Sequence, residues 1–149
     1  MINVCASPQH PGWLELRQVL WPHHDATFHL DEISRLCAEP LRYRQLIAVA
    51  DDGTPLGFIE IALRSDYVNG TRSSPVAFLE GIYVAPLSRK LGVAKALVQA
   101  GELWARERGC VEFASDAAID NQISQAMHRA LGFAETQRVV FFRKVLAAD

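Results

Sequence analysis

Val76-Ala77-Phe78-Leu79-Glu80-Gly81-Ile82-Tyr83-Val84, followed closely by Arg89-Lys90-Leu91-Gly92-Val93-Ala94, is the stretch on which the fold turns. The first run reads as a strand. The second opens a helix over Lys90–Arg108, where Leu91, Ala94, Leu97, Val98, Gly101 and Trp104 recur at roughly 3.6-residue spacing. A helix start leaves backbone N–H groups unpaired and presents the positive end of the helix dipole, so such a turn attracts phosphate. Gly92 has no Cβ and lets a pyrophosphate approach the backbone. The two other common phosphate patterns, Gly-x-Gly-x-x-Gly and Gly-x-x-x-x-Gly-Lys-Ser/Thr, do not occur. On these residues alone, a basic helix start with one glycine remains the plainer alternative.

Working outward, Ile2–Ala6 reads as a short strand, and Pro8–Leu20 as a helix with Trp13, Leu16 and Leu20 on one face. Leu30–Glu39 reads as a second helix with Ile33, Leu36 and Cys37 inward. Gln45–Ala50 and Leu56–Arg64 flank the turn formers Asp51-Asp52-Gly53-Thr54 and predict a hairpin. The polar loop Ser65–Pro75 leads into Val76–Val84, which gives three adjacent antiparallel strands. After the long helix, Gly109 is a stop, Val111–Ser115 a short strand, and Asp120–Leu131 a helix with Ile123, Met127, Ala130 and Leu131 on its apolar side. Phe133–Leu146 predicts one or two terminal strands around Val139-Val140-Phe141-Phe142. The order is β-α-α-β-β-β-α-β-α-β-β: an α/β (α+β) chain whose mixed, mostly antiparallel sheet is flanked by helices.

The 149 residues suffice for one domain, 1–149, with a proper core. A net charge of −2 argues against a general nucleic-acid binder. No apolar run approaches the roughly 20 residues of a membrane helix, and Met1–Trp13 lacks the pattern of a secretory leader. Cys5, Cys37 and Cys110 have no metal-ligand spacing, so no metal is expected, and a reducing cytoplasm fits them.

Further blocks stand in order: Leu20-Trp21-Pro22-His23-His24, Asp66-Tyr67-Val68-Asn69-Gly70, Ala114-Ser115-Asp116, Asp120-Asn121-Gln122-Ile123-Ser124-Gln125, His128-Arg129-Ala130-Leu131-Gly132-Phe133, and Glu135-Thr136-Gln137-Arg138-Val139-Val140. With the phosphate turn, this series resembles the aminoglycoside 6′-N-acetyltransferases of the GCN5-related N-acetyltransferase (GNAT) superfamily, from about Trp13 to Lys144. The resemblance implies the GNAT fold, acetyl-CoA as co-substrate and an aminoglycoside antibiotic as acceptor. It implies direct attack of the 6′-amine in a ternary complex, antibiotic resistance as the consequence, and a homodimer whose Val- and Phe-rich terminal strands pair across an interface.

It also assigns residues. Arg89, Lys90, Leu91, Gly92, Val93 and Ala94 wrap the pyrophosphate, mainly through backbone N–H groups. Ile82, Tyr83 and Val84 lie where the fourth strand splays from the fifth, so a backbone N–H there meets the acetyl oxygen. Asn121 contacts the pantetheine arm, or else caps its helix. Glu80 is a substrate-amine contact or a base acting through water; an outward acid or a structural salt bridge is the alternative. Asp116, at a strand end, is an ammonium ligand and candidate base, where Asp is also a common turn cap. Trp21, His24 and Tyr67 wall the acceptor site, against core packing for Trp21 and simple exposure for His24. Glu135 and Asp120 are weaker acidic candidates. His128 stands where the superfamily often has a Tyr that protonates the departing thiolate; a His serves near neutral pH, or merely packs. Phe141-Phe142 also lacks the Tyr found in relatives. The competing enzyme reading is another amine acceptor, such as a polyamine or a protein N-terminus. The competing non-enzyme reading is an acyl-CoA-binding sensor.

Overall fold

The computed structural model describes residues 1–148; Asp149, the last residue of the expected domain, lies outside the described residues. In chain order the elements are β1 (Ile2–Val4), α1 (Trp13–Leu20), α2 (Ala26–Ala38), β2 (Tyr43–Val49), β3 (Pro55–Arg64), β4 (Val76–Val84), a 3₁₀ turn (Pro86–Ser88), α3 (Val93–Glu107), β5 (Phe113–Ala114) and α4 (Gln122–Ala130). Met1–Asp116 form one compact unit and the residues from Ala117 onward a second.

In the first unit the sheet order is β1-β2-β3-β4-β5. The first four strands are antiparallel, and β5 joins β4 in parallel through Ala77↔Phe113 and Phe78↔Ala114. The predicted hairpin is β2–β3, closed at Asp52, whose carboxylate accepts from the Thr54 N–H. β3 is apolar along most of its length because both its faces are covered. Phe58 and Ala62 join Trp13, Leu16, Ile33 and Leu36 in one core cluster. Ile61 meets α3, where a Cβ on Gly101 would lie 2.5 Å from its Cδ1. Between β3 and β4 the register shifts: Glu60 opposes Gly81 and Ile61 opposes Leu79, so Glu80 is the extra residue of a β-bulge.

Several helix starts fall later than the periodicity predicts. Gly12 (φ 85°) turns left-handed immediately before α1, and Lys90 (φ 62°) and Gly92 (φ 84°) do so before α3, so neither Pro8–Gly12 nor Lys90–Gly92 is helical. Leu91 is accordingly 75% exposed rather than part of the buried stripe. α2 starts earlier than expected, at Ala26, because the Asp25 carboxylate accepts from the Phe28 N–H and caps it.

In the second unit, Asn121 caps α4 by accepting from the Ser124 N–H. The expected apolar face of α4 is not buried, and Ile123 is 87% exposed. The one or two strands expected over Phe133–Leu146 do not form; residues 133–148 carry no regular structure. Val140, Phe141 and Phe142 stay exposed. β-propensity acts through cross-strand neighbours, and without a ladder a Val/Phe run forms no strand. No described helix is long and apolar enough to cross a membrane.

Candidate active site

A cleft of about 420 Å³ opens between α1, α2 and strands β2–β4. Its floor is a buried ionic network. Arg17 donates from Nε and Nη2 to the two oxygens of Glu60, at 2.6 and 2.9 Å, and Trp13 Nε1 donates to Glu60 Oε2 at 2.9 Å. Both charged residues are under 5% exposed. A carboxylate this deep is tolerated only when paired and hydrogen-bonded, and three donors meet that need. The remaining Arg17 nitrogen, Nη1, lies 3.0 Å from His29 Nδ1. A guanidinium can only donate, so Nδ1 accepts and the imidazole carries its proton on Nε2, which donates to the Trp21 carbonyl at 3.1 Å.

The network therefore grips the connection between α1 and α2. Arg17 lies 4.7 Å from the centroid of the Trp21 ring, which forms a T-shaped pair with Phe58. A Cβ at Gly81 would come within 2.5 Å of that ring, so the glycine is what lets Trp21 lie against β4. Next to it, the bulge turns Glu80 onto the cleft rim, where Arg64 donates to Oε1 from Nη2 (2.7 Å) and Nε (3.2 Å). His24, exposed, stacks on Phe28 at 3.8 Å.

Trp21, His24 and Glu80 thus share one cleft, while Tyr67 and Asp116 do not line it. Tyr67 is 77% exposed on the loop between β3 and β4. That loop is well anchored. Its Val68 is buried with Val76 and Phe78, half-buried Ala114 packs against them, and the Glu112 carboxylate accepts from the Arg72 N–H and the Ser73 hydroxyl. Ser73 chiefly, then the Arg72 N–H, hold the Glu112 carboxyl below its ordinary range. Asp116 is exposed just beyond β5. In the second unit, Glu135 is paired with Arg138 and lies 4.0 Å from Arg129, and Arg138 is the main cause of its lowered pKa. Asp120 is exposed. His128 Nδ1 sits 2.7 Å from the Ser124 carbonyl, so it carries the proton there, and Nε2 bears one only in the imidazolium.

On the opposite edge of β4, pairing with β5 ends at Phe78. Ala85 donates to the Leu56 carbonyl, so by the two-residue alternation of an antiparallel pair the N–H groups of Ile82 and Val84 point away from β3 while that of Tyr83 points toward it. Arg89 Nε donates to the Val84 carbonyl at 2.9 Å and its guanidinium lies 5.6 Å from the Tyr83 ring centroid, so this side chain braces the turn. No side chain caps α3, and a Cβ at Gly92 would meet nothing within 4 Å. Open first-turn N–H groups beside an unobstructed glycine fit an anionic pyrophosphate.

Periodicity did not single out Glu60, Arg17, His29 or Arg64. The available signal was Glu60 itself, a lone acid inside the strand run Leu56–Leu63, which requires a buried cation somewhere in the fold. The cysteines are free, and burial pushes the Cys5 thiol up to about 12. Among the described residues, no three His, Cys, Asp or Glu side chains form a group able to hold a metal ion.

Residues 11–133 match the acetyltransferase (GNAT) family. The chain belongs to that family. Among its GNAT relatives, an aminoglycoside N(6′)-acetyltransferase type 1 from Acinetobacter genomosp. 13 is 55% identical over 132 residues, 89% of each chain. Another of the same name, from Serratia marcescens, is 48% identical over 146 residues, 98% of this chain and 99% of its own. A crystal structure of an aminoglycoside antibiotic 6′-N-acetyltransferase from Acinetobacter baumannii superposes with a TM-score of 0.92 at 49% identity, covering 99% of both chains. The structure of AAC(6′)-Iy in complex with the bisubstrate analogue CoA-S-monomethyl-acetylneamine gives 0.89 at 44% identity, covering 98% of both.

Proposed function

We propose that this chain transfers the acetyl group of acetyl-CoA to the 6′-amine of aminoglycoside antibiotics. The observation that carries the reading is likeness along nearly the whole chain to aminoglycoside N(6′)-acetyltransferases, one of them 55% identical over 132 residues. The cleft supports it: an aromatic wall at Trp21 for a sugar face and a rim carboxylate at Glu80 for an ammonium.

The acceptor enters as a polycation, and its 6′-ammonium gives up one proton to a carboxylate, directly or through water. Glu80 and Asp116 are our candidates for that base. The free amine attacks the thioester carbonyl carbon, a C–N bond forms, and the carbonyl electron pair moves onto oxygen. The Ile82 and Val84 N–H groups, turned away from β3, are suited to meet that charge. Collapse breaks the C–S bond; the nitrogen sheds its extra proton on becoming the amide, and the departing CoA thiolate takes up that proton, directly or by relay through water or a side chain such as His128. The amine reacts directly: Cys5 is buried and held protonated, and burial raises the Cys37 and Cys110 thiols too. The product has lost a positive charge, which weakens a drug that binds RNA through its ammonium groups; resistance follows.

We read Met1–Asp149 as one working GNAT domain that acts in the cytoplasm as a homodimer. Exposed Val140, Phe141, Phe142 and Val145 support a partner copy, and three free thiols support a reducing compartment. Light scattering at micromolar concentration tests the dimer.

Thiol release from acetyl-CoA tests the reaction. Turnover with tobramycin, and little with spermidine, is expected. Turnover with spermidine alone, or none with either, would overturn the reading.

A further inference from the structure

We propose that Arg64 holds the place of an acceptor ammonium on Glu80 and is exchanged for it when an aminoglycoside binds, so that Arg64 tunes acceptor affinity and the charge an acceptor must bring. This rests on the reading of Glu80 as an acceptor contact.

The cleft is lined by four arginines and three glutamates. A polycation gains little there until one arginine leaves its carboxylate, and the three Arg–Glu pairs are not equally able to release one. Glu60 is locked by three donors at 3% exposure. Arg35 holds Glu32 at 3.0 Å within one helix and is tethered by its 2.7 Å bond to the Tyr43 hydroxyl. Glu80 is set apart from Glu60 by exposure: its side chain is 36% exposed and its partner's 42%, and both Arg64 contacts fall on the single oxygen Oε1 rather than forming a two-oxygen fork. Glu32 and Arg35 are about as exposed, at 32% and 49%, and also meet through one oxygen; the Tyr43 tether on Arg35 is what distinguishes that pair. Such a pair is weakly held in water.

The displaced guanidinium also has a second seat. Arg64 already lies 3.6 Å from the Phe78 ring centroid, and a cation over an aromatic face remains stabilised when its carboxylate is taken. The exchange puts one cation in place of another at Oε1 and strands no buried charge. It occurs beside Trp21, whose ring packs on the neighbouring Gly81.

Steady-state kinetics with tobramycin, at saturating acetyl-CoA, test this. R64Q is expected to lower the tobramycin KM about two- to fivefold, the span of an exposed ion pair, with the acetyl-CoA KM unchanged. R64K, which keeps the cation without the planar fork, is expected between wild type and R64Q, and it serves as well should R64Q fold poorly. E80Q is expected to raise the tobramycin KM. A KM raised or unchanged in both Arg64 variants, with E80Q still raising it, would overturn the exchange and leave Glu80 as the contact. An unchanged KM in E80Q would remove the contact on which the exchange rests. Absence of thiol release from the wild type would instead sink the proposed function.

Discussion

Of the three Arg–Glu pairs in one cleft, the deepest and the one at the β4 rim do opposite work. Arg17–Glu60 is under 5% exposed, uses both carboxylate oxygens, and is locked further by Trp13 and His29. Arg64–Glu80 sits at the rim, 42% and 36% exposed, and uses one oxygen. The chemistry of the partners is the same; the dielectric around them is not. Inside, losing one partner strands a charge, so the pair is part of the scaffold that holds Trp21. At the rim water compensates the loss, so the pair is available for exchange.

The largest effect should come from the buried pair. E60Q or R17M is expected to destabilise the fold by about 3–5 kcal/mol, read by urea unfolding; a loss below about 1 kcal/mol would erase the contrast between the pairs. Next comes the Trp21 wall. G81A drives a Cβ into the Trp21 ring, which should cost about 1–3 kcal/mol and raise the tobramycin KM while sparing that of acetyl-CoA. Unchanged kinetics would separate Trp21 from the acceptor. At the rim, E80Q should change unfolding stability by no more than about 1 kcal/mol, whatever it does to KM.

The smallest effect concerns the Tyr67 loop. The Glu112 carboxyl is held below its ordinary value of 4.5 in the folded chain. Its stabilising bonds are therefore complete above about pH 4.5 and are lost as pH falls through the lower folded value. The urea midpoint of wild type should exceed that of E112Q by a constant margin above pH 4.5 and converge on it below. A margin that grows on acidification would contradict the assigned direction.

What was legible in the sequence follows from these physics. The switch from strand to helix across Val76–Ala94 stands out because hydrophobic period and turn residues change together, and the β2–β3 hairpin is marked by Asp51–Thr54. The starts of α1 and α3 depend on left-handed φ values at Gly12 and Gly92, which periodicity does not carry. The bulge that turns Glu80 onto the rim is a pairing event between two strands, and Glu60 finds its cation 43 residues away on α1. Long-range pairing of this kind leaves no local pattern. The Val139–Phe142 run shows the reverse failure: a strong local preference for strand with no ladder to express it.

Everything proposed for the cleft converges on one atom, the 6′-nitrogen of the acceptor. Tobramycin and its 6′-hydroxy counterpart should be offered with acetyl-CoA and the products mapped by NMR. A single acetyl group on the 6′-nitrogen of tobramycin and no turnover of the hydroxy compound are expected. Equal turnover of both, with the acetyl group on another nitrogen, would contradict it.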